Sequence, residues 1–69
     1  MQSDNIEAKE RILHASIQLF SDKGFDATSV TEIAQSADVT KPLIYYYFKS
    51  KEEILDSLVH SLLDKITSM

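Results

Sequence analysis

Three tyrosines stand in a row at Tyr45, Tyr46 and Tyr47, and they are the only tyrosines in the chain. Lys41 precedes them, Lys49 and Lys51 follow, and no acidic residue occurs from Val39 to Lys51. Ammonium groups beside aromatic rings suit a polyanion: the cations meet phosphates while ring faces and hydroxyls pack or bond alongside. On a helix three consecutive side chains point about 100° apart, so the three rings cannot share one buried stripe. At least one of them faces outward, among the lysines.

The other side chains able to do chemistry are sparse. His14 and His60 are the only imidazoles, there is no cysteine, and His60 with Asp64 at i, i+4 supplies only two ligands. No metal site, cofactor site or catalytic residue is expected, because no nucleophile elbow, phosphate-binding glycine loop or paired-carboxylate constellation is present. The sequence therefore does not read as an enzyme, and the two histidines read as helix-surface residues.

Charge sharpens the contrast. Seven Lys and Arg against eleven Asp and Glu give a net charge of −4, which taken alone argues against a nucleic-acid binder. The acids are segregated, however: Glu52, Glu53, Asp56 and Asp64 lie just beyond the lysines, with no Lys or Arg from Glu52 to Asp64. The chain is an acidic body with one basic segment. Sixty-nine residues make one small, thin-cored domain at most. One glycine, one proline and an apolar share of 43% favour helices over a turn-rich β fold. No apolar run approaches the roughly 20 residues that span a bilayer. The polar, acidic start MQSDNIEAKE does not read as a secretory leader, so an intracellular, cytoplasmic protein without membrane contact is expected.

Four helices are needed to place these residues. The first is expected over about 6–22, with Ser3, Asp4 and Asn5 available as caps and Ile6, Leu13, Ile17 and Phe20 as its stripe, beside Ile12, Ser16 and Leu19. Gly24 fits a helix stop in left-handed backbone, after which Phe25 folds back onto the core. Ser29 to Glu32, S-V-T-E, is a capping box opening a short second helix that ends near Ala37, with Val30, Ile33, Ala34 and Ala37 inward. Asp38 and Val39 turn the chain. Thr40 caps a third helix with Pro42 in its first turn, ending near Phe48. A second capping box, Ser50 to Glu53, opens a fourth helix running to about Ile66. Its apolar positions Ile54, Leu55, Leu58, Val59, Leu62, Leu63 and Ile66 form a stripe longer and wider than three small helices cover. Its late part, Leu62 to Met69, is expected to pack on something outside this chain, which reads as the front of a longer protein.

A short helix, tight turn and second short helix make a helix-turn-helix unit, whose second helix enters the major groove of DNA. With Ile44 at zero and about 100° per residue, Phe48 and Tyr45 fall at about 40° and 100° and define the buried side, with Tyr45 at its boundary. Pro42, Tyr46 and Leu43 fall at about 160°, 200° and 260°, facing out, and Tyr47 flanks them at about 300°. Lys41 in the first turn opposes the helix dipole, which makes sense where a phosphate or guanine edge is met. A competing reading is a protein-interaction module working through the fourth-helix stripe. Steep salt dependence of binding separates the DNA reading from it.

The run from Phe20 to Leu55 resembles the amino-terminal domain of the TetR family of bacterial regulators. The resemblance rests on the Phe-x3-Gly-Phe helix stop, the Thr-Ser-Val entry, the Ile-Ala helix, and the aromatic run followed by Phe-x-Ser-Lys-Glu. It implies an all-α fold, a three-helix bundle with a homeodomain-like helix-turn-helix over 1–49, and a fourth helix over 50–69 leading to a carboxy-terminal domain not in this chain. It further implies a palindromic operator bound as a homodimer through that domain, and a small-molecule effector bound there. By the same resemblance Thr40, Lys41 and Pro42 begin the recognition helix, and Tyr45 bonds a phosphate from its edge. Tyr46 packs on the DNA backbone or a thymine methyl, Tyr47 stands where the family often has histidine, and Lys51 clamps the sugar-phosphate backbone. Thr31 is the second-helix residue able to meet phosphate or base, where Val30 cannot donate. Two positions depart from the pattern. Asp38 replaces the usual turn glycine, and Leu43 replaces a small or polar residue and offers apolar contact to a thymine methyl.

Overall fold

The structure, a computed structural model, describes residues 4–67 and the side chains within 7–64. Four helices follow one another: α1 (Asp4–Lys23), α2 (Val30–Ala37), α3 (Lys41–Tyr47) and α4 (Lys51–Thr67). No strand occurs among the described residues, and the fold is all-α, as the helical periodicity implies. The expected Ser3, Asp4 and Asn5 cap, the Ile6 and Ile66 packing positions and the docking of residues beyond Asp64 lie outside the described residues or side chains.

The α1 helix buries a line displaced from the expected one. Ala8, Ile12, Ala15 and Ser16 are buried, Leu13 and Phe20 are half-buried, and Ile17 is exposed. Small side chains at Ala8, Ala15 and Ser16 let the neighbouring helices approach closely, which places Ile12 rather than Ile17 at the centre. Ser16 tolerates full burial because its hydroxyl donates to the Ile12 carbonyl at 2.7 Å.

The end of α1 is set by backbone conformation. Gly24 adopts φ +91° and its amide bonds the Phe20 carbonyl at 3.0 Å. A Cβ there would meet nothing within 4 Å, so glycine is required for its dihedral and not for space. Phe25 then returns onto Phe20, ring centroids 5.1 Å apart. Buried Thr28 closes the loop by donating its hydroxyl to the Gly24 carbonyl at 2.8 Å.

The α2 cap forms as read from the sequence: the Glu32 amide donates to Ser29 Oγ at 3.1 Å, and the Ser29 amide to Glu32 Oε1 at 3.0 Å. At the other end Asp38 takes left-handed backbone, φ 59° and ψ 48°, and the Val39 amide bonds the Ala34 carbonyl at 3.0 Å. This six-to-one closure does what a turn glycine does elsewhere. The Thr40 hydroxyl caps α3, accepting the Leu43 amide at 3.3 Å.

The second box is only half formed. Glu53 donates its amide to Ser50 Oγ at 3.2 Å, but its carboxylate accepts from the Lys49 amide at 2.9 Å. Extended backbone at Phe48 (φ −134°) takes the chain off α3, and α4 begins at Lys51, directly after the Ser50 cap.

The core joins all four helices: Ile12 and Ala15 from α1, Ile33, Ala34 and Ala37 from α2, Ile44 and Phe48 from α3 and its end, and Ile54 from α4. Leu58 packs on its edge, while Leu55, Val59, Leu62 and Leu63 project from α4 away from it. Among the described residues no helix is long and apolar enough to cross a membrane.

Candidate nucleic-acid interface

The basic segment folds into α3 and its two flanks. Ile44 and Phe48 are sequestered, and this fixes which way the rest must look. Tyr46 is the most exposed of the three tyrosines at 75%, and Lys41, Pro42 and Lys49 are exposed around it. Leu43 is half-buried beside Tyr46. The two flanking tyrosines exchange the packing expected of them. Tyr45 is 47% exposed and stands away from the core, whereas Tyr47 is half-buried against it. The buried arc of α3 therefore runs from Tyr47 through Ile44, because Phe48 already lies off the helix and its position on a helical wheel does not apply.

Tyr46 and Tyr47 meet edge to face, centroids 5.1 Å apart at 80°, and Tyr47 leans on Phe48 at 6.4 Å. A chain of three rings thus links the outermost tyrosine to the core. Thr31 is exposed on the first turn of α2.

Lys51 occupies a more internal place than a solvent-facing lysine. It is half-buried, its ammonium donates to the carbonyls of Phe25 at 2.7 Å and Thr28 at 2.9 Å, and it sits 4.3 Å over the Phe25 ring. Two of its three N–H donors are engaged within the chain, and one remains for another acceptor.

Arg11, the chain's one arginine, has a structural part that sequence reasoning did not assign. Its Nε donates to the Ala37 carbonyl at 3.0 Å and its Nη2 to the Asp38 carbonyl at 3.4 Å. The fork thus satisfies carbonyls at the end of α2 and in the left-handed turn, and places a cation at the negative end of the helix dipole. A solitary arginine is the only signal for it in the sequence.

Glu32, in the α2 cap, is held ionised. The Lys23 ammonium, then the Ser29 amide, keep its carboxyl below the usual glutamate range. Its charge is thereby matched by a cation on the α1 end. His60 pairs with Asp56 through the backbone carbonyl at 3.1 Å and the carboxylate at 3.5 Å. Among the described residues no three His, Cys, Asp or Glu side chains come together to hold a metal ion.

Comparison with known proteins agrees with this geometry. The family model described as bacterial regulatory proteins, tetR family, matches residues 12–58. The chain is 46% identical over 54 residues to the probable HTH-type transcriptional regulator YttP of Bacillus subtilis, covering 78% of this chain and 26% of that protein. It is 40% identical over 70 residues to the uncharacterized HTH-type transcriptional regulator YdgC of the same organism, covering 97% and 36%. It is 36% identical over 61 residues to IcaR of Staphylococcus aureus, the negative transcriptional regulator of the biofilm operon icaADBC, covering 88% and 33%. The chain spans roughly a quarter to a third of the length of these three relatives. No solved structure matches the chain.

Proposed function

The chain belongs to the tetR family of bacterial regulatory proteins, whose members are helix-turn-helix regulators of transcription, and on that footing we propose that it is the operator-binding end of a longer repressor. Residues 1–49 are the DNA-binding unit, and 50–69 lead into a carboxy-terminal domain outside this chain. That domain makes the homodimer and binds a small effector, and the dimer binds a palindromic operator with α3 of each subunit in the major groove.

The observation that carries this reading is the outward face of α3. It presents Tyr46, Tyr45, Pro42 and Lys41 from a segment free of acids, in an otherwise acidic chain. Thr40, Lys41, Pro42, Leu43 and Tyr46 face base edges. Tyr45, Tyr47 and Thr31 reach phosphates at the margins, and Lys51 reaches one with its remaining N–H. That IcaR is a negative regulator supports a repressor.

The exposed α4 residues Leu55, Val59 and Leu62 support a helix that continues into a further domain. Effector binding there moves α4 and, through Ser50 to Leu58, the spacing of the two recognition helices. Half-sites one helical turn apart, about 34–36 Å, are then no longer matched.

The test is a salt titration of the full-length protein on an operator recovered from random-sequence DNA. Each neutralised phosphate contributes a slope of about −0.9 in log affinity against log salt, so the affinity falls steeply. A flat response contradicts the reading and favours an apolar interaction surface on α4.

A further inference from the structure

Seven side chains are basic, and Arg11, Lys23 and Lys51 among them are engaged within the fold, by backbone carbonyls or by Glu32. The Lys65 side chain lies outside those described. The ammonium groups of Lys9, Lys41 and Lys49 remain. None of them forms an ion pair or a hydrogen bond with the described residues.

These uncommitted cations converge on α3. Lys41 is its first residue, and Lys49 follows Phe48 at its end. Lys9 belongs to α1, far away in sequence, yet its ammonium stands 6.0 Å over the Phe48 ring. The chain of rings that leads inward from exposed Tyr46 through Tyr47 to Phe48 therefore ends beneath Lys9. Phe48 is buried and Lys9 is exposed, so a lysine passing over that ring keeps its charged head in water. A separation of about 6 Å is at the limit of cation–π attraction and does not tie the ammonium down. Glu10 and Asp64 line the groove between α1 and α4 beside Lys9, and neither forms an ion pair with it.

We propose that α1 contributes directly to the DNA interface through Lys9, whose ammonium binds a backbone phosphate beside the Phe48 end of α3. The inference rests on the reading that α3 enters the major groove. With α3 only about 10 Å long, Lys41 at one end and Lys9 at the other meet different phosphates. An acidic chain repels a polyanion over most of its surface, so each cation free to meet a phosphate carries a large share of the affinity. The contact expresses no base preference. It fixes where α3 sits in the groove.

The test is a salt titration of the full-length protein, on an operator from random-sequence selection and on random DNA. The variant is Lys9→Met, which keeps a stem over Phe48 and removes the charge. Loss of one phosphate contact per subunit flattens the slope of log affinity against log salt by about 0.9, or about 1.8 for a dimer. Between roughly 50 and 200 mM salt, wild-type affinity then falls about twelvefold more than that of the variant, on both DNAs. Lys9→Arg restores the wild-type slope. Replacing single phosphates by neutral methylphosphonates locates the contact: one position at each half-site is costly for the wild type and neutral for Lys9→Met. An unchanged slope for Lys9→Met overturns the proposal even if affinity falls, because a role confined to packing on Phe48 leaves salt dependence alone. The operator-binding reading survives that result as long as the wild-type slope is steep. A wild-type slope near zero overturns both the inference and the reading beneath it.

Discussion

Replacing Lys51 by alanine tests whether this residue holds the fold together, apart from the phosphate contact proposed for it. The substitution removes two charge-assisted hydrogen bonds, to the Phe25 and Thr28 carbonyls, and the ammonium's place over the Phe25 ring. Hydrogen bonds to charged groups contribute about 1.5–3 kcal/mol each and a part-exposed cation–π contact about 0.5–1 kcal/mol. Lys51 is only half-buried, and water can take over part of what both carbonyls lose. The expected cost is therefore about 2 kcal/mol, well below the sum of the parts. A domain of this size has about 3–10 kcal/mol of stability in total, so the loss is a large share of it. It corresponds to a fall in Tm of roughly 8–16 °C. Urea and thermal unfolding followed by far-ultraviolet circular dichroism measure it. Lys51→Met, which keeps the stem over Phe25 and drops the ammonium, separates packing from charge and recovers only the smaller part. An alanine variant within about 0.5 kcal/mol of wild type, where ordinary surface substitutions fall, refutes this structural role of Lys51. DNA-binding measurements on Lys51 variants need this control, because a part-unfolded domain also binds weakly. On the folded fraction, a salt slope flatter by about one identifies a phosphate contact.

Three further perturbations probe the frame around α3. Arg11→Ala is expected to cost about 1 kcal/mol and to weaken operator binding beyond the loss of folded protein, since the α2–α3 turn loses its clip. Arg11→Lys does not restore it, because a lysine offers no fork, and urea midpoints with operator affinities check both. Glu32 has a lowered carboxyl pKa, so its contribution to stability is complete above the ordinary glutamate range and is lost as pH falls through the lowered value. Glu32→Gln should flatten the acid limb of a stability–pH curve while leaving its shape near neutrality unchanged. Gly24→Ala is expected to destabilise by about 1 kcal/mol despite open space around the site, because alanine resists φ +91°. A neutral change in Tm there contradicts the dihedral argument.

What could be read from the sequence was local. The α2 capping box, the Thr40 cap, the Gly24 stop and the left-handed Asp38 turn each depend on residues within a few positions of one another, and each takes its expected form. The interactions that could not be read join distant residues. Arg11 reaches 26 residues ahead to Ala37, and Lys51 reaches 26 residues back to Phe25. Neither pairing leaves a periodic trace. The exchange between Tyr45 and Tyr47 has another origin. A helix of seven residues has too few positions to fix its tilt by periodicity, and the apparent anchor Phe48 lies in extended backbone. The displaced stripe of α1 reflects small residues, whose burial depends on how closely the neighbouring helices approach.

The face of α3 bearing Tyr46 and Leu43 is proposed to read the operator. Random-sequence DNA selection with the full-length protein and with its Tyr46→Ala variant, run side by side, tests it most directly. Tyr46 is 75% exposed, so the variant is expected to keep its fold and to change the base preference at one or two positions in each half-site, leaving the others as they were. Identical selection profiles for the two proteins contradict the claim.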